Sequence, residues 1–216
     1  MRSPKPPRNF WLARLVRATV AKLLLLVFRV RLLGRDRLPD GGAVLAGNHI
    51  SYADPALLWS AAPRPTHFMA KSELWEHDII GWGLDMFWAF PVVRGRSDRT
   101  ALAKAAAYLA AGEPVAIFPE GTRNREGDAE AQGGAAFIAA RAGVPLVPVG
   151  IDGTERIKPK GSRFVHFPRV TISVGRPVRA EDFPGLGRKE TIEAMTDEVM
   201  RRIGDEVRHA REAARR

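Results

Sequence analysis

The sequence predicts a single α/β domain, built on a mixed central sheet that is flanked by helices. Short apolar runs suited to buried strands alternate along the chain with longer segments of helical periodicity, an order typical of a sheet covered by helices. The chain has 216 residues, of which 45% are apolar, and this is enough for one substantial core. It contains no cysteine, which excludes disulfides, thiolate metal sites and a cysteine nucleophile.

The positive charge of the chain is concentrated near its start. Residues 1–35 contain nine Lys or Arg and no acid, whereas the remainder has 25 basic and 24 acidic residues. The body of the protein is therefore nearly neutral. This asymmetry predicts an N-terminal arm that is attracted to a polyanion, either a nucleic acid or an anionic membrane surface.

Residues 9–27 have the periodicity of an amphipathic helix. Its apolar stripe comprises Leu12, Leu15, Val16, Thr19, Val20, Leu23, Leu26 and Val27, and Arg14, Arg17 and Lys22 fall on the opposite side. With Phe10 and Trp11 near its start, such a helix can lie in the headgroup region of a bilayer. We therefore expect residues 1–27 to form a basic amphipathic membrane anchor and residues 28–216 to form the folded domain. The alternative, that the stripe packs against the domain itself, stays open at this point.

The remaining elements follow from local patterns in chain order. Alternating apolar and basic residues at 28–33 predict a strand with one buried side, and Asp54-Pro55 predicts a helix start with Asp54 at or near the N-cap. Further strands are expected at 43–47, 67–70, 91–93, 115–118, 146–151 and 170–174. Further helices are expected at 74–88, 98–111, 135–142 and 191–213, and a loop at 119–134.

Two polar motifs follow two of the expected strands. His49 comes after the strand at 43–47, and Glu120 comes after the strand at 115–118. In an α/β sheet, ligands gather beyond the carboxyl ends of strands, so the two loops border one cleft if these strands are neighbours.

His49 is the best candidate for a general base, because an imidazole titrates near neutral pH. Asp54 could accept a hydrogen bond from the second ring nitrogen and fix the tautomer. No Gly-x-Ser-x-Gly elbow is present, so such an enzyme would activate a hydroxyl of its substrate rather than one of its own. The alternative is that Asp54 only caps a helix and that His49 is a partly buried, backbone-bonded histidine.

The chain resembles the glycerolipid acyltransferases of the lysophosphatidic acid acyltransferase type. The resemblance rests on four blocks in family order, namely Asn48-His49-Ile50-Ser51-Tyr52-Ala53-Asp54, Phe90-Pro91-Val92-Val93-Arg94, Phe118-Pro119-Glu120-Gly121-Thr122-Arg123 and Val144-Pro145-Leu146-Val147-Pro148. It implies an acyltransferase domain in which His49 deprotonates a glycerol hydroxyl and Asp54 supports the base. The hydroxyl would then attack the thioester of an acyl-CoA or acyl-carrier-protein donor, with no further cofactor.

The resemblance also implies a substrate site. Arg94 and Arg123 would hold the phosphate of the acceptor, a role that suits their fork of donors, and Lys71 could add positive charge there. Glu120 would orient the acceptor or shape the loop, and Gly121 would allow close approach of the backbone. Asn48 and Thr122 complete the expected substrate-binding residues. No metal site is expected, since His67 and His77 lack partners at ligand spacing.

The most specific expectation is acylation of the sn-2 hydroxyl of 1-acyl-glycerol-3-phosphate, giving phosphatidic acid, at the cytoplasmic face of the cell membrane. Relatives commonly carry a basic residue shortly after the Glu-Gly-Thr-Arg block, where this chain has Ala131-Gln132-Gly133-Gly134. Two alternatives therefore stay open. One is the same chemistry on another lysolipid, an ornithine lipid or a glycolipid, and the other is a basic nucleic-acid-binding protein, which would show an aromatic platform or recognition helix that this chain lacks.

Overall fold

A computed structural model describes residues 10–93, 98–120 and 133–216. Its centre is a seven-stranded sheet in the order β1-β7-β6-β2-β5-β3-β4. The strands are β1 (Arg31–Leu33), β2 (Val44–Gly47), β3 (His67–Lys71), β4 (Ala89–Val92), β5 (Val115–Ile117), β6 (Leu146–Asp152) and β7 (Thr171–Val174). Strands β6, β2, β5, β3 and β4 are parallel, whereas β7 is antiparallel to β6 and carries β1 parallel to itself. The sheet is therefore mixed, as the sequence predicts.

Helices cover both faces of the sheet. They are α1 (Phe10–Val27), α2 (Asp54–Ala61), α3 (Asp78–Met86), α4 (Arg99–Ala110), α5 (Gly134–Ala142) and α6 (Arg188–Ala214). One core cluster joins α1 and α2 to the sheet through residues such as Ala21, Trp59 and Ile151. The other cluster joins α4, α5 and α6 to the opposite face, with Ala105, Ala139 and Met195 at its centre. The core thus has two apolar layers, one on each side of β2, β5 and β6.

The element boundaries differ from the expected ones in understandable ways. The expected helix at 74–88 is instead a 3-10 turn at 72–76 followed by the shorter α3, and Trp88 after it has a left-handed φ of 62°. Helix α6 begins three residues earlier than expected, after a Gly-rich turn. Helix α4 begins where expected, because the Asp98 side chain accepts hydrogen bonds from the N–H groups of Thr100 and Ala101.

Helix α1 packs on α2 through a face that includes a charged residue. The Arg17 guanidinium lies over the Trp59 ring at 5.7 Å and donates to the carbonyl of Ala62 at 2.7 Å. Arg17 lies opposite the predicted apolar stripe, and its contacts show that this side of α1 meets the domain. The opposite side of α1 leaves Leu15, Leu23 and Leu26 exposed. The side chains of Leu12, Arg14 and Val16 lie outside the described ones.

Within the described residues, no helix is both long enough and apolar enough to span a membrane.

Candidate active site

The two polar motifs meet at the carboxyl ends of neighbouring strands. Strands β2 and β5 pair in parallel, with Val44 opposite Val115, so the loops that follow them leave the sheet side by side. The ring of His49 stacks on the ring of Phe118, with centroids 4.5 Å apart and planes 26° from parallel. This geometry confirms the prediction that both loops border one site, as expected for a parallel sheet.

His49 and Asp54 form a close pair inside the first motif. The Nδ1 atom of His49 lies 3.0 Å from Oδ2 of Asp54. The Asp54 side chain is fully buried, and that of His49 is 14% exposed. Since Nδ1 is engaged by the carboxylate, Nε2 is the nitrogen that remains for chemistry, and no hydrogen bond engages it in the described part of the chain.

The carboxylate of Asp54 organises the whole loop. Its Oδ2 atom also accepts the backbone N–H groups of Ile50 and Ser51, both at 2.7 Å. The N-cap position of α2 belongs to Ala53, and Asp54 is the first helical residue. Asp54 is thus next to the N-cap, as the sequence predicts, and its side chain accepts hydrogen bonds from the preceding loop.

Thr154 is a member of the site that sequence patterns do not reveal. Its Oγ1 atom donates to Oδ1 of Asp54 at 2.6 Å, and its side chain is fully buried. Thr154 follows β6, a strand that pairs with β2 on the side opposite β5. It is separated from Asp54 by 100 residues. No local motif marks it, so only the pairing of β2 with β6 brings it to the carboxylate.

Asn48 fastens the His49 loop to the same strand. Its Nδ2 atom donates to the carbonyl of Ile151 at 2.9 Å, and its Oδ1 atom accepts the N–H of Ile151 at 2.8 Å. The side chain is buried. This pairing gives Asn48 a structural task at the end of β6, and its contact with substrate stays a prediction.

Glu120 lies directly against the His49 loop. Burial raises the pKa of its carboxyl above the ordinary value of 4.5, and the hydrogen bond from the His49 backbone opposes that rise only in part. Its Oε2 atom is buried and has no hydrogen-bond partner in the described part of the chain. Glu120 therefore holds one spare polar atom next to the His49–Asp54 pair.

The other expected substrate residues are placed only in part. Lys71 ends β3, with its side chain half-exposed and its Nζ atom 3.0 Å from Oε1 of Glu73. It is thus at the same end of the sheet as His49, two strands away from β2. Arg94, Gly121, Thr122 and Arg123 lie outside the described residues.

A Ser–His–Glu contact exists elsewhere in the fold. Ser173 on β7 donates to Glu206 and lies 3.1 Å from Nδ1 of His209, both on α6. The Ser173 side chain is completely buried, so no substrate reaches its hydroxyl. This contact ties α6 to the sheet.

The geometry at His49 suits a base that acts on a substrate hydroxyl. In the described part of the chain, no Ser or Thr hydroxyl is hydrogen-bonded to the imidazole, so the pair has an orienting carboxylate but no protein nucleophile. The buried carboxylate can stabilise the imidazolium that forms when Nε2 takes a proton.

Comparison with known proteins gives one consistent result. The acyltransferase family model matches residues 29–152. The 1-acyl-sn-glycerol-3-phosphate acyltransferase of Bacillus subtilis is 34% identical over 176 residues, covering 81% of this chain and 86% of that protein. The chloroplast 1-acyl-sn-glycerol-3-phosphate acyltransferase LPAT1 of Arabidopsis thaliana is 32% identical, and the match spans 44% of its length.

A solved structure agrees with these relatives. The 1-acyl-sn-glycerophosphate acyltransferase PlsC from Thermotoga maritima superposes with a TM-score of 0.67 at 26% identity, covering 89% of this chain and 81% of that one. Residues 29–152, which the acyltransferase family model matches, contain the His49 and Glu120 motifs and the strands that precede them.

Proposed function

Because the chain belongs to the acyltransferase family, we propose that it transfers a fatty acyl group from acyl-CoA or acyl carrier protein to the sn-2 hydroxyl of 1-acyl-glycerol-3-phosphate. The observation that carries this proposal is the His49–Asp54 pair, with Nδ1 held at 3.0 Å by a fully buried carboxylate and the ring stacked on Phe118 of the second motif. The identity of the acceptor in this proposal is taken from the relatives, which are named 1-acyl-sn-glycerol-3-phosphate acyltransferases.

In the proposed reaction, Nε2 of His49 removes the proton of the acceptor hydroxyl as the oxygen attacks the carbonyl carbon of the thioester. The new C–O bond forms while the carbonyl electrons move to oxygen, and the tetrahedral intermediate then collapses with cleavage of the C–S bond. The leaving thiolate takes the proton back from the imidazolium. The products are the ester and the free thiol, and no acyl-enzyme is formed.

Asp54 serves this cycle by fixing the imidazole before the reaction. Its carboxylate is held by the N–H groups of Ile50 and Ser51 and by the hydroxyl of Thr154, so it does not need to reorganise when the ring becomes positive. Preorganised dipoles of this kind are most effective in a buried site, where the Asp54 side chain lies.

We assign the acceptor phosphate to the arginines of the second and third motifs. Strands β3, β4 and β5 are parallel, so their carboxyl ends share one edge of the sheet. Lys71 ends β3, and in sequence Arg94 follows β4 and Arg123 follows β5. Guanidinium groups bind phosphate in a bidentate manner. Glu120, with its spare buried oxygen beside the His49 loop, is assigned to orienting the acceptor.

The membrane contact that a lipid acceptor requires is assigned to α1. Leu15, Leu23 and Leu26 are 61%, 58% and 74% exposed on the side turned away from α2. Helix α3, which contacts α1, exposes Ile79 and Trp82 as well. An exposed apolar face next to a basic arm is typical of proteins that bind the interface of an anionic membrane.

The base is tested by replacing His49 with Ala in the full chain. We expect kcat for acyl transfer to fall by a factor of roughly 10² to 10⁴ while the circular dichroism spectrum is unchanged. His77→Ala removes an exposed histidine at the start of α3 and is the matched control. Substantial activity in the His49 variant would remove the proposed base.

The acceptor is tested by mass spectrometry of the lipids that purified protein forms from mixed lysolipids and acyl-CoAs. Phosphatidic acid should be the main product. Replacing Arg94 or Arg123 with Ala should raise the Michaelis constant for phosphate-bearing acceptors only. An ornithine lipid or glycolipid product would favour the alternative acceptors, and binding to DNA without binding to liposomes would favour the nucleic-acid alternative.

A further inference from the structure

A second basic segment with exposed apolar side chains lies far from the N-terminus in sequence. Between Glu155 and Glu181 the chain contains seven Lys or Arg and no acid. Part of this segment is the loop 158–169 that leads into β7, which we call the basic aromatic loop. In this loop Phe164, Val165 and Phe167 are 77%, 54% and 57% exposed.

The basic aromatic loop is a folded feature with its own hydrogen bonds. The N–H of His166 donates to the carbonyl of Ile157 at 2.8 Å, and the N–H of Ser162 donates to the carbonyl of Pro159 at 3.0 Å. The Ser162 hydroxyl donates to the carbonyl of Phe164. The apolar side chains are thus held outward by a defined turn.

Positive charge surrounds these apolar side chains. Lys160, Arg163 and Arg169 are exposed, and none of them forms an ion pair with an acid of the described residues. Exposed aromatic residues flanked by cations match a membrane interface, where the rings enter the headgroup region and the cations meet anionic lipid.

The loop adjoins the end of α1. The rings of Phe167 and Phe28 lie 5.7 Å apart, and Arg29 donates to the carbonyl of Phe167 at 2.6 Å. Leu26, which is 74% exposed, precedes the buried Phe28 by two residues at this end of α1. The basic aromatic loop therefore contacts the C-terminal end of the helix that we assign to the membrane. An acidic protein or a nucleic acid bound by charge alone would leave its exposed apolar side chains uncovered.

From this juxtaposition we propose that the basic aromatic loop inserts Phe164 and Val165 into the interface of an anionic bilayer and forms a second membrane contact beside α1. The proposal extends the membrane association proposed for α1 and is independent of the acyl-transfer chemistry. Lys160, Arg163 and Arg169 supply the attraction to the lipid headgroups.

The absence of cysteine makes the test specific. Full-length protein with Val165→Cys carries a single thiol, which takes an environment-sensitive nitrobenzoxadiazole label. We expect the emission of the label to shift to the blue on vesicles that contain phosphatidylglycerol, and to stay unchanged with pure phosphatidylcholine vesicles. Leu186→Cys, labelled in the same way at another exposed apolar residue, should not respond.

Affinity gives a second measurement. Arg163→Gln should weaken vesicle binding about fivefold, the value expected for one cation near an anionic surface. Lys104→Gln removes the same charge from α4, on the other face of the sheet, and should change binding less than twofold.

Several results would overturn the proposal. A silent label at position 165 while the chain still binds vesicles would restrict the contact to α1, and equal responses at positions 165 and 186 would mean that the loop has no special role. Equal losses in the Arg163 and Lys104 variants would also overturn it, as would a label that responds to single-stranded DNA or acidic carrier protein but not to vesicles. Failure to bind any vesicle would remove the α1 contact as well, whereas acyl transfer measured in detergent micelles tests the chemistry separately.

Discussion

Thr154→Val is the sharpest test of how the site is held together. The substitution keeps the volume of the side chain and deletes the hydroxyl that donates to Oδ1 of Asp54 at 2.6 Å. Because Asp54 and Thr154 are both fully buried, no water reaches the vacated oxygen to replace the bond. The change therefore isolates one hydrogen bond to a buried carboxylate.

The magnitude follows from the bonds that remain. A hydrogen bond to a charged group is worth about 1.5–3 kcal/mol, so the free energy of unfolding should fall by that amount. If this whole free energy were added to the activation barrier of acyl transfer, the rate would fall roughly 10- to 150-fold. Three other donors, from His49, Ile50 and Ser51, still hold Oδ2 of Asp54. We therefore expect kcat to fall about tenfold, at the lower end of that range.

The assay separates the hydrogen bond from packing. Acyl transfer to lysophosphatidic acid is measured at varied acceptor concentration, and kcat should fall while KM stays constant, since Thr154 is assigned no contact with the acceptor. Thr154→Ser is the matched control, because it keeps the hydroxyl and loses one methyl group. It should retain kcat within about twofold and lose about 0.8 kcal/mol of stability.

Either of two results would refute this reasoning. Unchanged kcat in Thr154→Val would show that the other donors of Asp54 suffice. A Thr154→Ser variant as slow as Thr154→Val would show that the site depends on the methyl group and not on the bond.

Three further predictions address the pH dependence and the packing around the site. Glu120→Gln should melt at a higher temperature than the wild type at pH 8 and at the same temperature near pH 4. Because burial raises the pKa of Glu120 in the folded state, the protonated carboxyl favours folding below the ordinary pKa of 4.5, and this stability is lost as the pH rises through the pKa of the folded state. A wild type that is more stable than the variant at pH 8 would contradict this reasoning. Asn48→Ala should lower the free energy of unfolding by roughly 2–4 kcal/mol in urea titrations, because it leaves both buried backbone groups of Ile151 unpaired, and a loss below about 1 kcal/mol would argue against that account. Gly150→Ala should destabilise the fold by about 2–4 kcal/mol, since its Cβ would lie 2.2 Å from the backbone of α6, whereas Gly204→Ala within α6 should stabilise it by about 0.5–1 kcal/mol; equal thermal shifts for the two variants would refute the close approach.

Local sequence patterns predict most of the sheet but less of its surroundings. Strands β2, β5 and β6 are short runs of mainly apolar residues, and they lie within one residue of their expected bounds because central strands are buried on both faces. Helix α3 is shorter than expected, since the apolar residues of 74–88 do not share one helical face and Ile79 stays exposed.

The orientation of α1 could not be predicted from its own periodicity. An amphipathic pattern shows which residues share a face, but not which face meets the domain. Arg17 is counted as polar, yet its guanidinium lies over the Trp59 ring, and burial lowers the pKa of Arg17. The surface of α2 decides which face of α1 meets the domain, and this surface lies more than 40 residues away in the chain.

The same limit explains why local patterns predict His49, Asp54 and Glu120 as candidate residues but do not mark Thr154. His49 and Asp54 stand in one short motif and Glu120 stands in another, so each is visible as a local pattern. Residues that hold those side chains in place are recruited through strand pairing, and here β6 supplies both Thr154 and the backbone of Ile151 from the far side of β2. The site therefore rests on three adjacent parallel strands. The motifs that follow β2 and β5 carry the groups proposed to react, and Thr154 after β6 donates to the buried carboxylate that contacts the imidazole.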